Sequence, residues 1–392
     1  MIDKLEKKKC TGCSACYNIC PTKAIYMKKN KGDFLFPEID YDKCIKCNLC
    51  EKICPSMTRQ SCLEDRYENP IVKAAWSNDE DIRINSTSGG LFTELAKGFL
   101  KSNGYIVGAV YNNEFLVEHY ITNKEKDLIL LRQSKYVQSD KKDVFSQIKR
   151  LLDKKELVLF VGAPCEVMGL YSFLVKSYEN LYTIDFLCLG TNSPKVYRKF
   201  LDMLEDKYNS KIKNVWFKNK EYGWNLFSTR VSFKNGKVYL KDRRKDYFMR
   251  GYIGKNKFYI RKCCTDCLYK GFPRIADISL GDFWGLGKKY PELDQDKGTS
   301  VVLINSSKGA FLYNKILNRI SSYDKELKEV LPGNFALLNS PKLDERVEQF
   351  FIDLDIIPFD KLIDKYCKFS LKDRLRLLKG DMKRFLGIKE YL

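Results

Sequence analysis

The stretch CTGCSACYNICP (residues 10–21) recurs as CIKCNLCEKICP (residues 44–55). Both read C-x2-C-x2-C-x3-C-P, so eight of the fifteen cysteines fall in two copies of one spacing. Three cysteines at two-residue gaps fit a tight loop, and their thiolates can reach three irons of one 4Fe-4S cube. The fourth follows a longer gap, is expected at the start of a short helix, and points away to ligate the other cube. The spacing therefore assigns Cys10, Cys13, Cys16 and Cys54 to one cluster and Cys44, Cys47, Cys50 and Cys20 to the other. The proline after each run, Pro21 or Pro55, keeps a helix from absorbing the ligand segment.

A disulfide framework is not expected, because the charged start, Met1 to Lys9, has no apolar segment of a secretory signal. Zinc sites use paired CxxC ligands rather than a duplicated run of four with a trailing proline. The chain has 392 residues, far more than such a dicluster unit needs, and its 24 Tyr and 24 Phe support a sizeable core. The expected organisation is a dicluster domain over 1–60, a large domain over 71–340 and a basic helical tail over 341–392. In class terms this is α+β and α/β: a ferredoxin-like dicluster domain followed by an α/β domain. Cys62 lies outside any ligand spacing and reads as inert.

The most apolar segment, 157–175, is broken by Gly162, Pro164 and Glu166, so no membrane span is expected. The cytoplasm is the expected compartment. A net charge of +20 suggests an anionic partner. The lysines are scattered and carry no nucleic-acid-binding signature. The expected partner is an acidic electron-carrier protein or a reduced coenzyme. From 361 to 392 the ten Lys and Arg exceed the four Asp and Glu by six. Leu371, Leu375, Leu378, Met382 and Phe385 repeat at helical spacing, so peripheral membrane contact by this helix is one expectation and a docked terminal helix another. An oligomer is compatible with the sequence. A single histidine, His119, argues against general acid-base chemistry and reads as an ordinary surface or core residue.

Along the large domain, Ser86 to Gly90 precedes an apolar-periodic helix from Leu91 to Leu100, a start suited to capping or to a phosphate. Tyr105 to Val110 and Phe115 to Ile121 read as a hairpin. Leu157 to Val161 and Leu181 to Leu187 read as buried parallel strands joined by a helix over 166–175. Cys165 and Cys188 then lie just past carboxyl ends of strands, the edge where open α/β sheets bind ligands. Cys264 and Cys267 form a CxxC, so four cysteines could converge on a third 4Fe-4S cluster; structural cysteines and a redox dithiol are the alternatives.

In order, the segments at 86–90 (STSGG), 134–139 (SKYVQS), 162–170 (GAPCEVMGL), 185–190 (DFLCLG), the CxxC at 264–267 and 276–285 (ADISLGDFWG) resemble the coenzyme F420 hydrogenase/dehydrogenase beta-subunit family. A fused amino-terminal dicluster ferredoxin also occurs there. The resemblance implies FAD and a third 4Fe-4S cluster on Cys165, Cys188, Cys264 and Cys267. It also implies a flavin held by Ser88, Gly89, Gly90, Lys135, Tyr136 and Asp282. Many members have Cys-His-Gly where this chain has Cys188, Leu189 and Gly190, and many have Thr in place of Ala163, which puts coenzyme F420 itself in question. The function implied is an anaerobic iron-sulfur flavoprotein oxidoreductase passing electrons between a ferredoxin-type or coenzyme F420-type carrier and a substrate. The alternative is an electron-transfer subunit that docks on a partner enzyme and has no substrate of its own.

Overall fold

In a computed structural model, residues 1–58, 65–254 and 257–385 are described. Cys62 lies outside the described residues, as does the carboxyl end of the tail. The amino-terminal unit pairs β1 (Ile25–Lys29) and β2 (Leu35–Ile39) as an antiparallel hairpin around the turn at Gly32. The large domain follows with β3 (Ile71–Ser77), β4 (Tyr105–Tyr111), β5 (Val117–Thr122), β6 (Val158–Val161) and β7 (Leu181–Phe186). Next come β8 (Ile212–Asn219), β9 (Ser228–Phe233), β10 (Val238–Asp242), β11 (Ile278–Asp282), β12 (Ser300–Ile304) and β13 (Ile320–Lys325).

Eight strands form one sheet in the order β13-β3-β12-β11-β7-β6-β4-β5. Its centre, β11-β7-β6-β4, is parallel, and both flanks are antiparallel. The parallel strands are buried on both faces, which is why Val158, Leu159 and Phe160 read as an unbroken apolar run. The strands expected at 157–161 and 181–187 are parallel neighbours, and the expected hairpin is β4-β5. The intervening helix runs Pro164–Leu174, two residues earlier than the sequence suggests. Pro164 takes the first helical position, and Glu166 reaches back to accept from the Ala163 N–H at 2.9 Å.

A second sheet, β10-β9-β8, is antiparallel throughout. It shares a core with the helices Pro194–Tyr208, Tyr247–Ile253, Val347–Asp353 and Phe359–Tyr366, through Phe200, Phe217, Phe248, Phe350 and Leu362, all wholly buried. The terminal helix Leu371–Phe385 differs from these. Leu371, Leu375, Leu378 and Met382 are 60–79% exposed along one stripe, while the other side meets the large domain, where Gly380 is buried and Lys245 Nζ donates to Asp381 Oδ2 at 2.7 Å. Among the described residues no helix is long and apolar enough to cross a membrane.

One local expectation is corrected. The fourth cysteine of each run does not begin a helix. Ser14 and Asn48 adopt left-handed conformations (φ 66° and 60°) and start the short helices Ala15–Ile19 and Leu49–Lys52. The third cysteine, Cys16 or Cys50, therefore lies within the helix, and Cys20 and Cys54 follow its end, where the next residue is proline.

Candidate iron-sulfur and cofactor site

The two amino-terminal cysteine runs surround two separate small cavities. One, the junction site, is lined by Cys10, Cys13, Cys16 and Cys54, with Ile2, Leu5 and Met27 as apolar cover. The other, the outer site, is lined by Cys20, Cys44, Cys47 and Cys50, with Ile25, Ile39 and Leu49. Each takes three thiols from one run and the fourth from the other, the crossed arrangement read from the spacing. The pocket walls explain why: the short helices direct the third cysteine inward while the turn after them carries the fourth across. Burial raises the Cys16 thiol far above its ordinary value, and Cys13, Cys10 and Cys54 push it the same way. Bound iron would have to displace the protons that burial retains on these thiols. Among the described residues no three His, Cys, Asp or Glu side chains are gathered as for a single metal ion. Each set of four thiols lines a small enclosed volume.

The junction site abuts the large domain. Helix Ala15–Ile19 packs on helix Pro164–Leu174, and Cys13, Ala15 and Ile53 join Phe145, Val167, Met168 and Tyr269 in one core. Gly169 permits this approach, since a Cβ there would lie 2.6 Å from Cys13 Cβ and 2.9 Å from its Sγ. Two side chains of the large domain clip β2 in place. Leu35 N–H donates to Gln138 Oε1 at 2.9 Å, and Arg261 Nη2 donates to the Leu35 carbonyl at 2.9 Å. Asn18 adds a bond to the Lys142 carbonyl at 2.9 Å, and Ser193 donates to the Gly32 carbonyl at 2.5 Å.

Beyond this junction a cavity of about 550 Å³ opens at the carboxyl ends of the parallel strands. Its wall holds Ser88, Gly90, Lys135, Tyr136 and Asp282 from the expected flavin set. Gly89 is behind the wall: a Cβ there would lie 2.4 Å from the Ala75 carbonyl oxygen, so this glycine lets the helix start pack on β3. Cys165, Cys188 and Cys264 line the same cavity. Cys267 joins them from the adjoining core, and Cys188, Cys264 and Cys267 all act on the Cys165 thiol, which burial and Glu166 raise well above its ordinary value. Cys263, to which the sequence assigns no role, lines the cavity too, and its thiol lowers the pKa of its neighbour Cys264. Cys367 is half-buried on the far core and takes no part.

Tyr269 stands between the two groups of thiols. Its phenol is raised by burial first, then by Cys165, Cys13, Cys267 and Cys54, which belong to both sides. Its buried hydroxyl has no hydrogen-bond partner among the described residues.

The cavity wall is cationic and aromatic. Burial lowers Lys135 to about 7, although its Nζ donates to the Arg132 carbonyl at 2.8 Å. Burial likewise lowers Lys220 to about 7; its Nζ holds the helix start by donating to the Ser88 carbonyl at 2.6 Å. Burial alone would lower Lys218, but the adjacent Asp282 carboxylate outweighs it and holds the ammonium above its ordinary value. Asp282 also accepts from Trp224 Nε1 at 3.0 Å, so its carboxylate is engaged by protein groups. Trp284 lines the cavity, stacked on Trp224 at 4.7 Å.

His119 is no ordinary surface or core residue. Its side chain is 1% exposed and lines the cavity; Nδ1 bonds to Ser139 Oγ at 2.7 Å, and Nε2 has no partner among the described residues. Burial lowers it to about 4. Glu166 stands 3.9 Å from Nε2 and pairs with the buried Lys141 at 2.6 Å. Nothing in the sequence around residue 119 signals this, because its neighbours Ser139, Lys141, Phe160 and Glu166 are distant in sequence. Trp284 could have been found, since it follows Asp282 within a quoted segment.

Residues 155–328 match the family described as the C terminus of the coenzyme F420 hydrogenase/dehydrogenase beta subunit. Residues 9–58 match the 4Fe-4S dicluster domain. No curated protein matches the chain. Among solved structures the chain is similar to one from the xenon-derivatised F420-reducing [NiFe] hydrogenase complex of Methanosarcina barkeri. The TM-score is 0.45 at 18% identity, over 80% of this chain and 97% of that one.

Proposed function

We propose that the chain is an iron-sulfur flavoprotein oxidoreductase, because it joins a 4Fe-4S dicluster domain to a domain matching the C terminus of the coenzyme F420 hydrogenase/dehydrogenase beta subunit. In this reading it passes electrons between a ferredoxin-type or coenzyme F420-type carrier and a substrate. The junction and outer sites hold two 4Fe-4S clusters. Cys165, Cys188, Cys264 and Cys267 hold a third, and the cavity holds FAD.

The observation that carries this reading is one arrangement. Three of the four cavity thiols line a space of about 550 Å³ at the carboxyl edge of the sheet, while Cys13 rests against the helix that carries Cys165 in its first turn. A volume of that size is in the range of cofactor sites. When bound, the clusters supply single-electron transfer and the flavin exchanges single electrons for pairs. The chain's own residues hold and insulate. Lys220 fixes the start of helix Leu91–Leu100 through the Ser88 carbonyl, leaving Gly90 at the wall. Lys135 offers an ammonium to an anionic group, and Tyr136, Tyr252 and Trp284 offer aromatic faces. His119, held neutral by burial, lines the cavity with Nε2 unpartnered among the described residues.

Cys47 is the one exposed thiol among the described cysteines, so the outer site faces the carrier. The carrier is an acidic protein or a reduced coenzyme, attracted by the surplus of lysine. The exposed stripe of helix Leu371–Phe385 and its basic character support peripheral contact with an anionic membrane. Anaerobic purification with iron and flavin assays tests the proposal. About twelve irons per chain are expected, with flavin. About eight irons and no flavin in any preparation would remove the cavity cofactors and leave an electron-transfer subunit without a substrate of its own.

A further inference from the structure

Arg261 is 1% exposed, and among the described residues no carboxylate lies within ion-pair distance. A buried cation without a counter-charge costs several kcal/mol, so native proteins seldom leave one. The guanidinium donates from Nε to the Cys10 carbonyl at 2.8 Å and from Nη2 to the Leu35 carbonyl at 2.9 Å. Nη2 also points at Cys10 Sγ at 3.6 Å, and the group lies over the Phe36 ring at 4.0 Å. Nη1 is buried and unpartnered. Gly12 makes room for it, since a Cβ there would lie 3.0 Å from Nη1. Carbonyls and an aromatic face soften the charge but do not cancel it.

The negative charge available is that of the four thiolates of the junction site. We propose that Arg261 is the counter-ion of the site formed by Cys10, Cys13, Cys16 and Cys54, and that it sets the reduction potential of that site above what the same ligands give without it. The inference rests on the reading that these thiols hold a 4Fe-4S cluster. A reducing electron adds one negative charge and no proton, and a fixed cation on a ligand sulfur favours that added charge. The outer site has no such guanidinium among the described residues. Arg261 is a positioning residue: it belongs to the large domain, three residues before Cys264, and reaches into the amino-terminal unit. The charge that tunes the junction site is therefore delivered by docking of the two units.

The test is a dithionite titration of the full chain, followed by electron paramagnetic resonance, in the native protein, Arg261→Gln and Arg261→Lys, each after an iron count. Arg261→Gln is expected to shift the reduction equilibrium of one of the two amino-terminal sites at least tenfold against reduction, about 59 mV for a one-electron couple. The other site stays where it was. Arg261→Lys keeps the charge but not the fork, and is expected to shift the same site at least twofold yet less than Arg261→Gln. If Arg261→Gln fails to load iron, the shift in Arg261→Lys decides alone. Unmoved potentials, equal movement of both sites, or a lysine variant as low as the glutamine variant would overturn the proposal. A native chain with fewer than about eight irons would instead defeat the cluster reading, and is seen before any variant is titrated.

Discussion

Gly169→Ala is a single-methyl perturbation whose sign separates two physical accounts. In an ordinary helix interior the change stabilises by about 1 kcal/mol, because alanine loses less backbone entropy than glycine. At this position the added carbon would lie 2.6 Å from Cys13 Cβ. Carbon atoms settle at roughly 3.5–4.0 Å, so the deficit is about 1 Å. The obstacle belongs to a cluster-ligand cysteine in a tight loop and cannot swing aside as a long side chain would. Overpacking of this kind costs about 1–3 kcal/mol. The cost outweighs the propensity gain, and the net expectation is a destabilisation of about 1–2 kcal/mol. Thermal loss of the cluster absorbance, recorded anaerobically, should occur a few degrees lower than in the native chain. Gly98→Ala is the comparison: it sits in helix Leu91–Leu100, and the nearest obstacle is the tip of the Arg319 side chain, 2.7 Å away, which can move. It should be neutral or slightly stabilising. If Gly169→Ala proved as stable as Gly98→Ala, with full iron, the close approach of the two units would be refuted.

Cys264→Ser should lower the iron content from about twelve to about eight per chain while both amino-terminal clusters keep their resonance signals; an unchanged iron count would remove Cys264 from the ligand set. His119 is held at about 4 against an ordinary 6.5, so the unfolded chain binds the extra proton between those values and stability rises with pH across that window. Its contribution is complete above pH 6.5 and falls by up to about 3 kcal/mol as the pH drops to 4. His119→Gln should flatten the slope of denaturation midpoint against pH there, and an unaltered slope would show that His119 does not titrate as its burial requires. Sedimentation with phosphatidylglycerol vesicles should exceed that with phosphatidylcholine vesicles, and Leu375→Glu with Leu378→Glu should abolish it. Equal recovery of native and variant chains would exclude the helix stripe as the contact.

The cysteine framework was legible because cluster chemistry ties ligands to fixed spacings, and the crossed sharing of Cys20 and Cys54 follows from reach alone. The parallel centre of the large sheet was legible because burial on both faces leaves an uninterrupted apolar run at 158–160. The second sheet was not. β8 reads IKNVWFKN, and its exposed Lys213 and Asn214 break the alternation that would announce a strand. The short cluster helices were misplaced because positive φ at Ser14 and Asn48, neither of them glycine, carries little sequence signal. At the cavity, Lys135 and Tyr136 came only through a family resemblance. Arg261 stands close to the inner cysteines in sequence, yet its contact is with Cys10, a partner that only the folded junction could reveal.

The clips at Gly32, Leu35 and Asn18 have a kinetic consequence. Two separate proteins would have to collide and orient before each hand-over, at a rate set by their abundance and by salt. Here the encounter has been made once, at folding, and the two units stay in register. Under the proposed function, dilution should therefore leave internal electron passage untouched and slow only the arrival of an external carrier.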